Sequence, residues 1–352
     1  MTLDQDKLME FVHQFVGDLG ATMTAGNVVV GHKAGLYRGL AAGGPATGDE
    51  LADRTGTDAR YVTEWLRGQA AAGYVGYDDA THRYSLSPEQ AYLLADPDGA
   101  INVPGAYLFA LGTLRSEPQI VEAFRTGAGV GWHEHDADVF HGCEEFFRPG
   151  YAAHLVPEWL PALDGVVGKL EAGATVADVG CGRGASTVLM AQAFPASRFT
   201  GSDYHAGSIE GARKSAADAG VTDRVGFEVT PAAGFRGTGY DLVTTFDCLH
   251  DMGDPAGAAA HIKESLAPGG TWMIVEPAAG DAVPDNFNPV GRVYYGFSTF
   301  LCVPNARSQQ GGYALGAQAG EAAIGALVQE AGFSSFRRVA ATPFNFVYEA
   351  RA

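Results

Sequence analysis

The segment Val176-Ala-Asp-Val-Gly-Cys-Gly-Arg-Gly184 has an apolar run followed by three glycines at alternate positions. This pattern predicts a strand that turns tightly into a helix, because glycine tolerates the turn and lets a ligand approach the main chain. The spacing is Gly-x-Gly-x-Gly, and Ala185 stands where a dinucleotide-binding fingerprint has its last glycine. The turn alone fits nucleotide-binding domains of many kinds, so the surrounding sequence decides among them.

Downstream of residue 170, apolar β-type runs alternate with helical stretches, which predicts a parallel sheet covered on both faces. The seven predicted strands are 175–180, 198–203, 225–229, 240–246, 271–276, 336–341 and 344–349. The last two are separated only by Thr342-Pro343, which is too short for a parallel crossover, so they form an antiparallel hairpin. The fold class predicted for 166–352 is therefore α/β, a seven-stranded Rossmann-like sheet with an antiparallel last strand.

The N-terminal hundred residues predict a mostly helical domain with a winged helix. Residues 5–42 are predicted as one helix, on which Leu8, Phe11, Phe15 and neighbouring apolar residues form a stripe. Thr47 and Glu50 form a capping box, a second helix is predicted over 59–72, and short strands at 74–77 and 83–86 form the wing. Three parts follow: this domain at 1–100, a helical connector that caps the active site at 101–165, and the α/β domain at 166–352.

The charge of the chain argues against nucleic acid as a partner. The formal net charge is −18, and residues 1–100 contain seven basic and fourteen acidic residues. The helix over 59–72 offers only Arg60 and Arg67, offset by Glu64, whereas a helix that reads the major groove needs a basic face. We expect the winged helix to serve dimerisation or to cap the substrate. The long apolar stripe predicts a homodimer, since it is too exposed otherwise.

The cysteine spacing and the distribution of apolar residues indicate whether a metal site, a signal peptide or a membrane span is present. The four cysteines form no Cys-x-x-Cys pair and no zinc-type spacing with histidine, so no metal site is predicted. The first 20 residues lack the basic start and apolar run of a signal peptide, and no stretch has the length of a membrane span. The sequence therefore predicts a cytoplasmic protein without a membrane partner.

The glycine turn and the following strand ends predict a cofactor site. Asp178 is placed to orient the loop and to meet an ammonium group, alongside Gly180, Gly182 and Gly184. Asp203 ends the second strand, where a carboxylate accepts hydrogen bonds from ribose hydroxyls or, alternatively, caps a helix. Four further residues at strand ends are expected to line the site: Tyr204, Thr230, Phe246 and Asp247.

These residues and the chain beyond them resemble a bacterial family, common in actinomycetes, of class I S-adenosylmethionine-dependent methyltransferases with a winged helix. A parallel sheet that ends in one antiparallel hairpin is typical of this class. The motifs that carry the resemblance are Phe246-Asp-Cys-Leu-His-Asp251, Leu266-Ala-Pro-Gly-Gly270, Glu276-Pro277, Ser298-Thr-Phe-Leu-Cys-Val-Pro304, Gly311-Gly-Tyr-Ala-Leu-Gly316 and Ala331-Gly-Phe333. The resemblance is strong over 140–352 and looser over the winged helix. More distantly, the chain is similar to natural-product O-methyltransferases with an N-terminal dimerisation domain.

The resemblance implies S-adenosylmethionine as the cofactor. This molecule has no pyrophosphate, so the glycine loop is expected to wrap an amino acid and a ribose. Methyltransferases often place an acidic residue near the adenine after the third strand, but the sequence here is Val229-Thr-Pro-Ala232. Thr230 or a backbone carbonyl is expected to serve instead.

The resemblance also implies a general base. In many related O-methyltransferases the histidine of a His-Asp pair after the fourth strand takes this role, and the matching position is His250, with Asp251 or Asp254 to orient the imidazole. The alternative is a loop histidine that only shapes the pocket. A few relatives methylate a carbon next to a keto acid and hold a metal with a His-Asp pair and a later histidine. The later position falls near Leu301-Cys302, which offers no histidine.

The acceptor is predicted to be a small, aromatic or apolar, secondary-metabolite-like molecule, since aromatic residues crowd the expected crevice. The candidate acceptor residues are Trp132, Phe147, Arg148, Tyr151, Tyr295 and Cys302. His133, Glu134 and His135 are too closely spaced for two ligands on one helical face, so a solvated loop is expected there. A second class of function, a DNA-binding regulator that senses a ligand through this fold, remains an alternative that the acidic N-terminal part disfavours.

Overall fold

The computed structural model describes residues 3–96, 99 and 101–352. The chain divides into two compact units. The first contains the residues up to Leu111 together with His141–Pro149, and the second contains Gly112–Phe140 and Gly150–Ala352. Residues of the predicted connector, 101–165, thus contribute to both units, and each unit is described by itself.

The first unit is a helical domain with a two-stranded wing. Its elements in chain order are α1 (Gln5–Lys33), α2 (Leu36–Gly43), α3 (Gly48–Thr55), α4 (Ala59–Ala71), β1 (Gly76–Asp78), β2 (Arg83–Ser85), α5 (Pro88–Leu94) and most of α6 (Val103–Leu114). The β1 and β2 strands pair antiparallel. The capping box is present, because the Glu50 amide donates to Thr47 Oγ1 at 3.3 Å and the Thr47 amide donates to Glu50 Oε2 at 3.0 Å. The winged-helix prediction is confirmed.

The single helix predicted over 5–42 is two helices. Gly35, between α1 and α2, has a φ of 74°, which a right-handed helix cannot accommodate. Only the end of α1 enters the core of this unit, through residues such as Val28 and Val29. The apolar residues of its first half remain exposed in the single chain, with Phe11 at 69% and Phe15 at 55%.

The second unit is a seven-stranded sheet with helices on both sides. Its strands are β3 (Thr175–Val179), β4 (Arg198–Asp203), β5 (Val225–Val229), β6 (Tyr240–Phe246), β7 (Leu266–Pro277), β8 (Ser335–Ala341) and β9 (Asn345–Arg351). The remaining helices are α7 (Glu117–Thr126), α8 (Ala137–His154, whose middle belongs to the first unit), α9 (Leu160–Ala162), α10 (Val166–Ala172), α11 (Ala185–Ala193), α12 (Ala206–Asp218), α13 (Pro255–Ser265), α14 (Pro289–Phe297), α15 (Val303–Ser308) and α16 (Gly320–Glu330).

The strand order is β5-β4-β3-β6-β7-β9-β8. The first five strands are parallel, and β9 pairs antiparallel with both β7 and β8. The predicted fold class, including the terminal hairpin, is confirmed. The β7 strand begins five residues earlier than predicted, at Leu266 instead of residue 271, because an irregularity in its pairing with β6 accommodates Pro268, Gly269 and Gly270.

The core of the sheet positions the functional strand ends. Val179, Val243, Trp272 and Ile274 are fully buried between β3, β6, β7 and the flanking helices α13 and α16. The strand order reverses between β3 and β6. From β3 the chain continues to β4 on one side, and β6 lies on the other side of β3. Ligands of open α/β sheets bind at the carboxyl ends of the strands at such a point.

Candidate active site

The glycine turn after β3 has the backbone that its sequence requires. Gly180, Gly182 and Gly184 have φ values of 73°, 52° and 79°, a region that favours glycine. The amides of Gly180 and Cys181 both donate to the carbonyl of Ser202 on β4, at 2.8 and 3.0 Å. A Cβ at Gly180 would lie 2.6 Å from Cys248 Sγ, whereas a Cβ at Gly182 would meet no described atom within 4 Å. The turn is therefore packed on the β6 side and open at its centre.

Asp178 is buried beneath this turn. Its Oδ2 accepts hydrogen bonds from Ser186 Oγ at 2.7 Å and Thr187 Oγ1 at 2.5 Å, and its Oδ1 accepts one from Thr244 Oγ1 at 2.9 Å. Burial raises the pKa of the carboxyl, and the three hydroxyl bonds oppose that shift. Since both oxygens face the protein, the geometry favours the loop-orienting role for Asp178 over contact with an ammonium group.

Asp203, at the end of β4, faces the turn. Its Oδ2 accepts a hydrogen bond from the Gly182 amide at 3.0 Å, and its Oδ1 accepts one from the His205 amide at 2.8 Å. The side chain that caps α12 is His205, whose Nδ1 accepts from the Ser208 amide at 3.1 Å. Burial raises the pKa of Asp203 to about 6. The carboxylate thus lies beside the open centre of the turn, where the remaining lone pairs suit ribose hydroxyls.

Tyr204 and Thr230 occupy the neighbouring strand ends. The Tyr204 hydroxyl donates to Asn305 Oδ1 at 2.7 Å. Thr230 is half-buried; its amide donates to the Asp203 carbonyl at 2.9 Å, and its hydroxyl donates to the Gly234 carbonyl at 3.1 Å. Thr230 thus closes the loop after β5 with its own hydroxyl.

Phe246 and Asp247 end β6. Asp247 has a φ of 49°, which is unusual for a residue other than glycine and strains the backbone. Its Oδ2 accepts a hydrogen bond from the Tyr151 hydroxyl at 2.9 Å, and its Oδ1 accepts one from Asn345 Nδ2 at 2.7 Å. Burial and the charge of Glu276 raise the pKa of Asp247 to about 7. Phe246 is buried against Tyr151, with ring centroids 5.2 Å apart.

His250 forms a buried pair with Glu276 of β7. The distance from His250 Nδ1 to Glu276 Oε2 is 2.6 Å, and both side chains are almost fully buried. The other carboxylate oxygen accepts a hydrogen bond from the Leu249 amide at 2.9 Å. Burial acts to lower the pKa of His250, but the Glu276 charge and the Cys302 thiol outweigh it and hold this pKa well above its ordinary value. The carboxylate thus fixes both the orientation and the charge of the imidazole.

The sequence prediction named Asp251 or Asp254 as the partner of His250, and the structure differs. Asp251 Oδ2 accepts a hydrogen bond from Asn305 Nδ2 at 3.1 Å, and burial raises its pKa to about 7. Asp254 caps α13 by accepting from the Gly257 amide at 2.8 Å. Neighbours in sequence point in different directions on a short turn, so the strand-end carboxylate Glu276 reaches the imidazole instead.

The predicted acceptor residues divide between the two units. Tyr151, Tyr295, Trp132 and Cys302 belong to the second unit. Of these, Cys302 lies beside His250, Tyr151 bonds Asp247, and Trp132 packs edge-on against Phe140 with centroids 5.6 Å apart. Tyr295 is half-buried on α14.

Phe147 and Arg148 lie in the first unit. Phe147 packs on Phe109 with centroids 6.4 Å apart, and Arg148 lines a cavity of about 470 Å³ with His32 and Arg38. The structure therefore brings Tyr151 and Cys302 to the loop after β6.

The segment around residues 133–135 is only partly the solvated loop that the sequence predicts. His133 and Glu134 are exposed, whereas His135 is buried with its Nδ1 2.7 Å from Ser116 Oγ. Burial lowers the pKa of His135. No group of three or more metal-ligand side chains occurs among the described residues. Within the same residues, no helix is long and apolar enough to cross a membrane.

Three site residues escaped the sequence analysis: Glu276, Asn305 and Asn345. Glu276 had a usable signal, since it is a carboxylate at the carboxyl end of a buried parallel strand, as Asp203 is. Asn305 on α15 and Asn345 at the start of β9 follow no such rule. Only the packing of distant segments brings them to Asp251 and Asp247.

The residues around the turn fit S-adenosylmethionine. The space above Gly182 is open, and the Asp203 carboxylate stands beside it at the point where the strand order reverses. Asp247 and Asp251 add buried carboxyl groups at the end of β6, on the other side of β3. Such a set can hold a ribose and a cationic amino-acid portion without a pyrophosphate.

Comparison with known proteins supports the same assignment. A family profile described as the Rv2258c-like winged HTH domain matches residues 22–96, and one described as a methyltransferase domain matches residues 170–317. The mitomycin biosynthesis 6-O-methyltransferase of Streptomyces lavendulae is 29% identical over 227 residues, which are 60% of this chain and 61% of that protein. The ubiquinone biosynthesis O-methyltransferase of Psychrobacter cryohalolentis is 26% identical over 176 residues, 47% of this chain and 65% of that protein. The chain thus spans less than two thirds of the length of these relatives.

Solved structures share the fold over nearly the whole chain. The mitomycin 7-O-methyltransferase superposes with a TM-score of 0.67 and 20% identity over 99% of this chain and 100% of that one. Human N-acetylserotonin methyltransferase, in complex with S-adenosylmethionine, gives a TM-score of 0.69 and 16% identity over 100% of this chain and 99% of that one. The predicted resemblance is confirmed: the chain joins an Rv2258c-like winged helix-turn-helix domain to a methyltransferase domain, and its fold is that of solved class I methyltransferases.

Proposed function

We propose that the protein transfers a methyl group from S-adenosylmethionine to a hydroxyl of a small aromatic or apolar acceptor, with His250 as the general base. The observation that carries this proposal is the buried pair of His250, in the loop after β6, with Glu276 of β7. This loop packs beside the glycine turn that follows β3. The O-methyltransferases of mitomycin and ubiquinone biosynthesis among the relatives support a small-molecule acceptor.

The geometry supports a division of roles between the chain and the cofactor. When bound, S-adenosylmethionine supplies a methyl group on a sulfonium sulfur that leaves as neutral S-adenosylhomocysteine. His250 takes the proton of the acceptor hydroxyl, so the oxygen can attack the methyl carbon as the carbon–sulfur bond breaks. Glu276 holds the Nδ1 proton of His250 and stabilises the imidazolium that forms. Positioning of the acceptor supplies at most ~7–11 kcal/mol of the barrier reduction.

The cofactor half of the proposal rests on Gly180, Gly182, Gly184 and Asp203. Titration calorimetry with S-adenosylhomocysteine tests it directly. Replacement Asp203→Ala is expected to weaken binding at least ~10-fold, because ribose hydroxyls lose a charged acceptor worth about 1.5–3 kcal/mol. The matched control is Asp223→Ala, an exposed carboxylate paired with Arg224. No binding by the unmodified protein at millimolar concentration would remove the methyltransferase proposal.

The acceptor half rests on the aromatic residues Trp132, Tyr151 and Tyr295, of which Tyr151 packs on Phe246 and bonds Asp247. A panel of phenols and 2-keto acids, incubated with methyl-labelled S-adenosylmethionine, distinguishes the reactions. We expect label in methyl ethers. Label on the carbon next to a keto group would replace this proposal with C-methylation.

We also propose that α1 forms a homodimer interface. Its first half exposes Phe11, Phe15 and Leu19 at 69%, 55% and 51%, a contiguous apolar stripe on one helix. Light scattering at micromolar concentration is expected to give twice the mass of the chain. The double variant Phe11→Glu/Phe15→Glu is expected to give a monomer, while Phe124→Glu, an equally exposed site on α7, is expected to leave the dimer intact. A monomeric unmodified protein would contradict the interface.

A further inference from the structure

A glycine-rich segment, residues 127–135, lies along α15 within the second unit. The Val130 amide donates to the Pro304 carbonyl at 3.0 Å, and Arg307 Nη2 donates to the Gly127 carbonyl at 3.2 Å. A Cβ at Gly129 would lie 2.0 Å from the Ser308 amide nitrogen. Only glycine permits this approach, so the segment is seated on α15 in one specific register.

Asn305 is the residue of α15 that joins this segment to the active-site loops. It is 3% exposed. Its Oδ1 accepts hydrogen bonds from the Tyr204 hydroxyl at 2.7 Å and from the Trp132 amide at 3.1 Å. Its Nδ2 donates to Asp251 Oδ2 at 3.1 Å. The Trp132 amide also donates to the Tyr204 hydroxyl at 3.2 Å.

This arrangement connects three separate parts of the fold through one amide. Tyr204 follows Asp203 at the end of β4, Asp251 follows His250 after β6, and Trp132 begins the turn that leads to α8. An amide has one acceptor oxygen and a donor nitrogen, and both are used here in the orientation that the three partners require.

We propose that Asn305 is a positioning residue that latches the 127–135 segment against the carboxyl ends of β4 and β6 and so gates exchange of the cofactor. The proposal rests on the proposed function, because it takes these strand ends as the place where S-adenosylmethionine binds. On this proposal the segment moves when S-adenosylhomocysteine leaves, and that movement breaks the bonds of the Trp132 amide to Asn305 and Tyr204.

The direct test is the rate at which labelled S-adenosylhomocysteine leaves the full-length protein after a chase with excess unlabelled compound. Replacement Asn305→Ala removes the side-chain bonds to Tyr204, Trp132 and Asp251 and is expected to speed release about tenfold, the effect of losing one to two net hydrogen bonds. The matched control is Ser308→Ala on the same helix, whose hydroxyl bonds only the Asn305 carbonyl. The control is expected to release at the unmodified rate.

Two further variants separate latching from general destabilisation. Tyr204→Phe keeps the ring and removes the hydroxyl bonds to Asn305 and to the Trp132 amide. The Trp132 amide keeps its bond to Asn305, so we expect a smaller increase, about threefold. In Asn305→Asp the neutral carboxyl group reproduces one acceptor and one donor, whereas the ionised form repels Asp251. Burial raises the pKa of such a carboxyl group. Release relative to the unmodified protein is therefore expected to be fast at pH 8 and close to normal at pH 5.

The pH comparison needs the unmodified protein at each pH, because Asp203, Asp251 and Glu134 also lie around Tyr204 and Asn305. Release from Asn305→Ala within twofold of the unmodified rate would overturn the proposal. So would an Asn305→Asp variant whose relative rate does not change with pH. Binding by the unmodified protein with an unchanged Asn305→Ala rate refutes the latch alone, whereas no binding at all refutes the proposed function as well.

Discussion

The turn after β3 and the loop after β6 lie at the ends of adjacent parallel strands but are held in different ways. The turn depends on glycines with positive φ and on amide bonds to the Ser202 carbonyl. The loop depends on ionisable side chains. Asp247, His250 and Asp251 bond residues from α8, β7, α15 and β9, which lie 26 to 98 positions away in the chain.

The conformation of the turn is thus set by its backbone, whereas that of the loop is set by bonds made by ionisable side chains. The bonds of the Gly180 and Cys181 amides to the Ser202 carbonyl involve no group that gains or loses a proton. The loop contains two carboxyl groups, Asp247 and Asp251, whose pKa is about 7, and an imidazole, that of His250, whose pKa is held well above its ordinary value. We therefore expect substitutions in the loop to alter rate and pH dependence, and substitutions in the turn to alter stability.

The largest effect is expected for His250→Ala. Loss of a general base lowers kcat by ~10²–10⁴-fold. The measurement is single-turnover methyl transfer to the acceptor found in the panel. His133→Ala, an exposed histidine, is the control and is expected to keep the full rate. A His250→Ala rate within a factor of a few of the unmodified enzyme would assign the imidazole a pocket-shaping role only.

Glu276→Gln is expected to lower kcat by ~10²-fold. The amide introduced at position 276 would donate to His250 Nδ1, so the single proton of the neutral imidazole would lie on Nε2. Nε2 could then not accept the proton of the acceptor hydroxyl. The pH profile gives a second readout. His250 must be neutral to act as a base, and its pKa lies above the ordinary histidine value of about 6.5. The rate of the unmodified enzyme is therefore expected to increase with pH above about 6.5. In Glu276→Gln the imidazole loses the nearby negative charge, so burial lowers the pKa of His250. The increase of the residual rate with pH is therefore expected to begin at a lower pH than in the unmodified enzyme.

The matched control for that profile is Glu264→Gln, an exposed carboxylate on α13. It is expected to leave both the rate and the profile unchanged. A Glu276→Gln profile that coincides with that of the unmodified enzyme would show that Glu276 does not set the charge of His250.

The smallest of the expected effects is a loss of stability in the turn. Replacement of either Gly180 or Gly182 by Ala costs ~1–2 kcal/mol from the positive φ. Gly180→Ala also brings a Cβ to within 2.6 Å of Cys248 Sγ, whereas Gly182→Ala meets open space. The thermal midpoint should therefore fall further for Gly180→Ala. Adding Cys248→Ala to Gly180→Ala should restore part of the loss in thermal midpoint. The control is Cys248→Ala alone. Equal midpoints for the two glycine variants would contradict the packing.

The elements that follow local rules were predictable from the sequence. The strands from β3 to β6, the hairpin of β8 and β9 and the capping box of Thr47 and Glu50 were predicted closely, because apolar periodicity, a two-residue connection and a capping pattern act over a few residues. The break at Gly35 was missed, since the apolar stripe continues across it. The early start of β7 was missed because Pro268 and two glycines resemble a turn.

The sequence by itself determined that a glycine turn follows β3, that Asp203 stands beside it and that a histidine follows β6. Only the tertiary structure decided which carboxylate bonds that histidine and which amide joins Asp251 to Tyr204 and Trp132. The physical reason is range. A turn or a cap is stabilised by bonds between near neighbours, so its pattern is visible in a short window. A buried charge is stabilised by whatever polar group the folded sheet and helices bring to it, and Glu276, Asn305 and Asn345 reach the site only through the packing of the whole unit.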